Sequence, residues 1–82
     1  MIYQYSNYDE MPTLRTRCEY LSEIWGRSVW PVHTVVGHCD LRIRHGQGRT
    51  NTLLLSSMKI EIVRGIVEWE IAKAEGQLRD VA

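Results

Sequence analysis

The side chains that come nearest to a reactive or metal-binding group are His33, His38, Cys39, Asp40 and His45. Imidazole, thiolate and carboxylate are the donors that hold zinc, and a histidine beside a carboxylate can move protons. Their spacing argues against both uses. Side chains alternate along an extended strand, so His38 and Asp40 share one face while Cys39 points to the other. A fold-back could bring His33 or His45 beside the pair, yet two ligands do not close a tetrahedral site, and the spacing is not that of a zinc finger or a metalloprotease. The expectation is an outward polar row of His38, Asp40 and Arg42, with no structural metal and no cofactor. Replacing His38 and Asp40 together should then cost less than roughly 1 kcal/mol.

Cys39 and Cys18 read as small buried apolar residues, a role that free cysteine commonly fills. Nucleophilic catalysis needs a base, an orienting group and exposure, and His38 next to Cys39 supplies adjacency only. The two cysteines form no CxxC pair and are too few for a secreted disulfide framework, which suits a reducing, cytoplasmic setting. The tripeptide Gly46-Gln47-Gly48, flanked by Arg44, His45 and Arg49, exposes backbone donors that could meet an anion. No Walker lysine and hydroxyl follow it, and an extended run comes next where a phosphate loop would open a helix. A hairpin turn explains these glycines.

Charge is asymmetric only locally. Ten basic and ten acidic residues cancel over the 82-residue chain, so no global field draws it to nucleic acid or to an anionic membrane. Residues 27–55 nevertheless hold Arg27, Arg42, Arg44 and Arg49 against Asp40 alone, whereas residues 56–82 hold four basic and five acidic side chains. A two-stranded ribbon fits a DNA major groove, and Arg42, Arg44, Arg49 and His45 would be its contacts. Interface anchors are more plentiful. Trp30, Trp69, Tyr3 and Tyr5 are of the types that dominate protein contacts, and Ile62, Ile66 and Trp69 fall on one side of a helical wheel.

These residues depend on a few elements for their positions. Met11, Leu14, Cys18, Leu21 and Trp25 recur at steps of three and four, which predicts a helix over about residues 10–25, with Gly26 at its exit. Residues 1–8 read as a flexible arm or a short edge strand carrying Tyr3 and Tyr5. Residues 29–36 are rich in valine and contain Pro31, which suits an edge strand. Cys39, Leu41 and Ile43 alternate with polar neighbours and predict one arm of a hairpin; residues 49–55 return as the other.

From residue 58 onward two patterns compete. As a helix, with Ser57 as its cap, the segment aligns Ile60, Val63, Val67, Ile71, Ala74, Leu78 and Val81. As a hairpin about Arg64 and Gly65, it aligns Met58, Ile60 and Ile62 with Val67, Trp69 and Ile71, but sets Glu61 against Glu68. The helix is preferred because its stripe runs unbroken to Val81. The fold class is therefore α+β: an N-terminal helix, a β-hairpin that a third strand can extend, and a long C-terminal helix. The alternative is a helix followed by a small five-stranded sheet or partly open barrel.

Apolar residues make up 44% of the chain and charged residues 24%, ordinary usage for one small folded domain spanning residues 1–82. No stretch reaches the roughly 20 apolar residues that span a bilayer, so no membrane is expected as a partner. The functional expectation is a non-enzymatic protein-interaction module that self-associates and acts as an adaptor, inhibitor or assembly component. Its anchors would be Trp69, Ile62, Ile66, Trp30, Tyr3 and Tyr5. A nucleic-acid binder using the basic hairpin is the first alternative; a small enzyme or metal-binding protein using the histidine-rich strand is the second.

Overall fold

The computed structural model describes residues 2–44 and 51–81, and the side chains of residues 10–44 and 51–77. Helix α1, Ile2–Trp25, leads into strands β1 (Ser28–His33), β2 (His38–Arg44) and β3 (Asn51–Lys59), and helix α2 (Ile60–Val81) ends the chain. The strands form one antiparallel sheet in the order β1-β2-β3. This is the expected α+β arrangement, with the third strand present.

Both helices lie on the same face of the sheet. Met11, Leu14, Cys18 and Leu21 of α1 and Ile60, Val63, Val67 and Ile71 of α2 close over Val29, Cys39, Leu41 and Ile43, and all twelve are at most 4% exposed. The alternation expected for β2 is observed, with Cys39, Leu41 and Ile43 inward. The outer face of the sheet has no helix over it among the described residues.

Several expectations need correction. Helix α1 begins at Ile2 and takes in the segment assigned to an arm or edge strand. No glycine interrupts residues 1–25, and Pro12 within the helix removes one main-chain donor without ending it. The helix stops at Gly26, whose φ of 69° is the left-handed conformation of a C-terminal cap; its N–H donates to the Ser22 carbonyl at 2.9 Å. Val35 and Val36 lie beyond β1, in the turn to β2.

Residues 60–81 are helical, so neither the second hairpin nor the five-stranded alternative is adopted. Burial decides this. Ile60, Val63, Val67, Ile71 and Ala74 all reach the core, which outweighs the cost of about 1 kcal/mol for Gly65 in mid-helix. Ser57 is not the cap of α2. It lies inside β3 with a positive φ of 45°, and the first helical N–H, that of Ile60, donates instead to the Gly37 carbonyl in the β1–β2 turn at 2.9 Å.

Charged side chains join the helices on their outer side. Arg17 donates to Glu68 through Nε at 2.6 Å and through Nη2 at 2.9 Å, and Tyr20 Oη donates to Glu75 at 2.6 Å. The Arg17 guanidinium also lies 5.3 Å from the centre of the Tyr20 ring. The helix reading thus sends Glu68 to a cation, where the hairpin reading had set it against Glu61.

Candidate functional site

Among the described residues the histidine-rich strand brings together no metal-holding group. His38 and Asp40 lie on the outer side of β2, Cys39 points into the core, and His33 is at the end of β1 opposite Cys39. Nδ1 of His38 is 3.0 Å from the Val36 carbonyl. Asp40 accepts the Ser57 main-chain N–H at 2.7 Å. Among the described residues no three His, Cys, Asp or Glu side chains are grouped to hold a metal ion. His45, with Arg49 and the glycine turn, lies outside the described residues.

The thiols are sealed. Burial pushes Cys18 up to about 12, with a smaller contribution from Cys39 nearby, and burial raises Cys39 as well. Both are free cysteines that remain thiols at neutral pH, the opposite of what a nucleophile requires.

Two surfaces remain, on opposite sides of the sheet. The outer face carries a row of three cross-strand neighbours: Trp30 on β1, Arg42 on β2 and Leu53 on β3. Arg42 donates from Nη1 to Asn51 Oδ1 at 2.7 Å, and Arg44 is exposed at the strand end. Trp30 is half-buried here, so an aromatic residue stands at the register position across from the arginine, a placement that a reading of the hairpin alone does not give.

The second surface is built by α2 and β3. The helix buries one stripe and leaves Ile62, Ile66 and Trp69 beside it. Trp69 is 63% exposed, Ile62 is 44% exposed, and Ile66 is half-buried. Beside them an apolar groove of about 260 Å³ runs between α2 and β3, lined by Trp25, Leu41, Leu54, Leu55 and Ile66 among others. Leu54 is 44% exposed. Its exposure follows from the strand: the register shift between Leu41 and Arg42 leaves Leu54 without a partner residue on β2, so β3 carries two successive leucines toward the groove.

No family model, curated protein or solved structure matches this chain. Its surfaces must be read from their own chemistry. Of the expected interface residues, Ile62, Ile66 and Trp69 come together on α2. Trp30 sits on the other side of the sheet, and Tyr3 and Tyr5 belong to the first turns of α1, where side chains are outside the described set. Sequence periodicity missed Leu54, Leu55 and Trp25 as companions of the α2 patch, because a bulge and a tertiary contact place them there. Among the described residues no helix is long and apolar enough to cross a membrane.

Proposed function

We propose that this chain is a non-enzymatic protein-interaction module that self-associates, with the Ile62, Ile66 and Trp69 face of α2 as its contact. The observation that carries the reading is Trp69, a large aromatic side chain 63% exposed on a helix whose other apolar stripe, from Ile60 to Ala74, is at most 5% exposed. Neighbouring apolar groups extend that exposure into a patch, and such patches with an aromatic at the centre are what protein contacts desolvate. An adaptor, an inhibitor or an assembly component would each use such a face. Sedimentation equilibrium tests it: the parent should associate at micromolar concentration, and Trp69→Ala should weaken that association without loss of helix by circular dichroism. A parent that remains monomeric at high micromolar concentration ends the reading.

The nucleic-acid alternative is favoured by one observation, the placement of Trp30 directly across from Arg42 on the sheet face that no described helix covers. An aromatic residue and an arginine on one sheet face can stack on an unpaired base and hold its phosphate. Fluorescence anisotropy with single-stranded DNA, RNA and duplex DNA decides this. Binding that falls with salt and with Arg42→Ala or Arg44→Ala supports it; no binding at low salt removes it.

A further inference from the structure

The two margins of the sheet are finished differently. At the β1 margin Pro31 has no N–H to offer. The Ser22 hydroxyl of α1 closes much of what is left: its oxygen accepts the Val29 N–H at 2.8 Å and lies 3.2 Å from the Val29 carbonyl, while also reaching the Cys18 carbonyl at 2.7 Å. A margin treated in this way cannot add another strand.

Among the described residues the β3 margin has neither device. Residues 51–58 contain no proline and no charged side chain, and no described strand pairs along the outer side of β3. The alternation of an antiparallel ladder fixes which groups face outward. Val29 turns its main-chain groups toward Ser22, so its partner Ile43 turns its own toward β3 and bonds Thr52. Leu53, one residue on, therefore directs its N–H and carbonyl away from the sheet. The bend at Ser57, with its positive φ, limits the open stretch to residues 51–55.

We infer that a second copy of this chain docks along the β3 margin, its own β3 antiparallel to the first across a two-fold axis at Leu53, with the two Ile62, Ile66 and Trp69 stripes meeting on the helical side of the joined sheet. The inference rests on the self-association reading and specifies its mode. Three observations favour an identical partner. An uncharged strand meets its own copy without like-charge repulsion, and the formal net charge of the chain is zero. The strand margin and the α2 patch are contiguous through Leu54 and Ile66, which line one groove, so one approach covers both. The area is also of the right order. Leu53, Leu54, Ile62 and Trp69 are 43%, 44%, 44% and 63% exposed. Together they present on the order of 400 Å² per copy, about half of what a standard interface takes from each partner. The β3 main chain and half-buried Trp25 and Ile66 supply further area.

The test separates the mode from the self-association itself. Sedimentation equilibrium first establishes the dimer of the parent; a monomer at high micromolar concentration overturns both readings. Amide hydrogen exchange is then followed by NMR above and below the dimer dissociation constant. The Leu53 N–H should be at least tenfold better protected in the dimer than in the diluted monomer; free exchange of that amide in an established dimer overturns the strand pairing and leaves self-association standing. Leu53→Pro removes the outward donor, whereas Leu53→Ala keeps it. The proline variant should weaken the dimer at least tenfold more than the alanine variant, and equal dimerisation of two folded variants overturns the inference. If Leu53→Pro does not fold, the exchange measurement on the parent decides.

Discussion

The Asp40 carboxylate accepts the main-chain N–H of Ser57 at 2.7 Å. The two residues are neighbours because β3 bulges: between the pairs Cys39–Met58 and Leu41–Leu55 two residues of β3 face one of β2. The extra residue disturbs the ladder, Ser57 takes a positive φ, and a side chain supplies the acceptor that the opposite strand cannot. Ser57 Oγ also lies 3.0 Å from Thr34 Oγ1, so the bulge is tied to the β1–β2 turn as well.

Asp40 therefore contributes more than a surface carboxylate would. Asp40→Ala should cost about 1–2 kcal/mol, because it leaves a main-chain donor without its ionised partner. Asp40→Asn keeps an acceptor oxygen and should lose less. His38→Ala should stay within about 0.5 kcal/mol. Urea midpoints of the three variants check this, and identical midpoints for the parent and Asp40→Ala would show that water replaces the carboxylate at no cost. The figure of less than roughly 1 kcal/mol that follows from an outward polar row is thus revised upward for the double replacement.

The core is small enough for one side chain to matter. Leu14 is fully buried, facing α2 and the sheet from the middle of the α1 stripe. Leu14→Ala should cost about 2–5 kcal/mol through lost transfer energy and a residual cavity. A chain of this length is stable by only roughly 4–12 kcal/mol. Thermal unfolding by circular dichroism should show a large fall in midpoint, and a fall of only a degree or two would mean that the helices re-close over the site.

Stability should fall at both ends of the pH range, for different reasons. The hydrogen bonds from Arg17 hold the Glu68 carboxyl below its ordinary value, and the charge of Arg17 adds to this. The stabilisation this provides is present above the unfolded value near 4.5 and is lost as pH falls through the lower folded value. On the alkaline side Cys18 is raised from 9.0 to about 12 by burial, and Tyr20 is raised by the hydrogen bond it donates to Glu75 and by desolvation. Those contributions are complete below about pH 9 and disappear as pH rises toward the folded values. Urea midpoints from pH 3 to 11 should form a plateau with two falling edges. Glu68→Gln should flatten the acid edge while costing less than about 1 kcal/mol at neutral pH, since both partners are partly exposed.

Two glycines should respond in opposite directions to alanine. Gly65 is helical, and a Cβ built there meets no atom within 4 Å, so Gly65→Ala should stabilise by about 0.5–1 kcal/mol. Gly26 has equal space but a φ of 69°, so Gly26→Ala should destabilise by about 1 kcal/mol through backbone strain. Denaturation midpoints moving in the same direction for both would show that local conformation does not set the difference.

The amino-acid sequence by itself determined the faces of its elements. The three-and-four spacing of Met11, Leu14, Cys18 and Leu21 marked one buried helical stripe, the alternation of Cys39, Leu41 and Ile43 marked the inward side of β2, and Ile62, Ile66 and Trp69 stood out as a second stripe. Each is a short-range regularity, set by helix or strand period and legible without any partner. Residues 60–71 satisfied two periods at once, and only the tertiary structure decided between them, because the choice turns on what the stripe from Ile60 to Ala74 can bury against. The start of α1 escaped the reading for a related reason: its first turns lack a strong apolar stripe, and the absence of glycine does not announce a helix. The neighbours of Trp69 on β3 and the partner of Asp40 were likewise decided in three dimensions. They depend on register shifts near Leu54 and Ser57, and a bulge leaves no period in the sequence, since it is fixed by how two strands and the helix beyond them fit together.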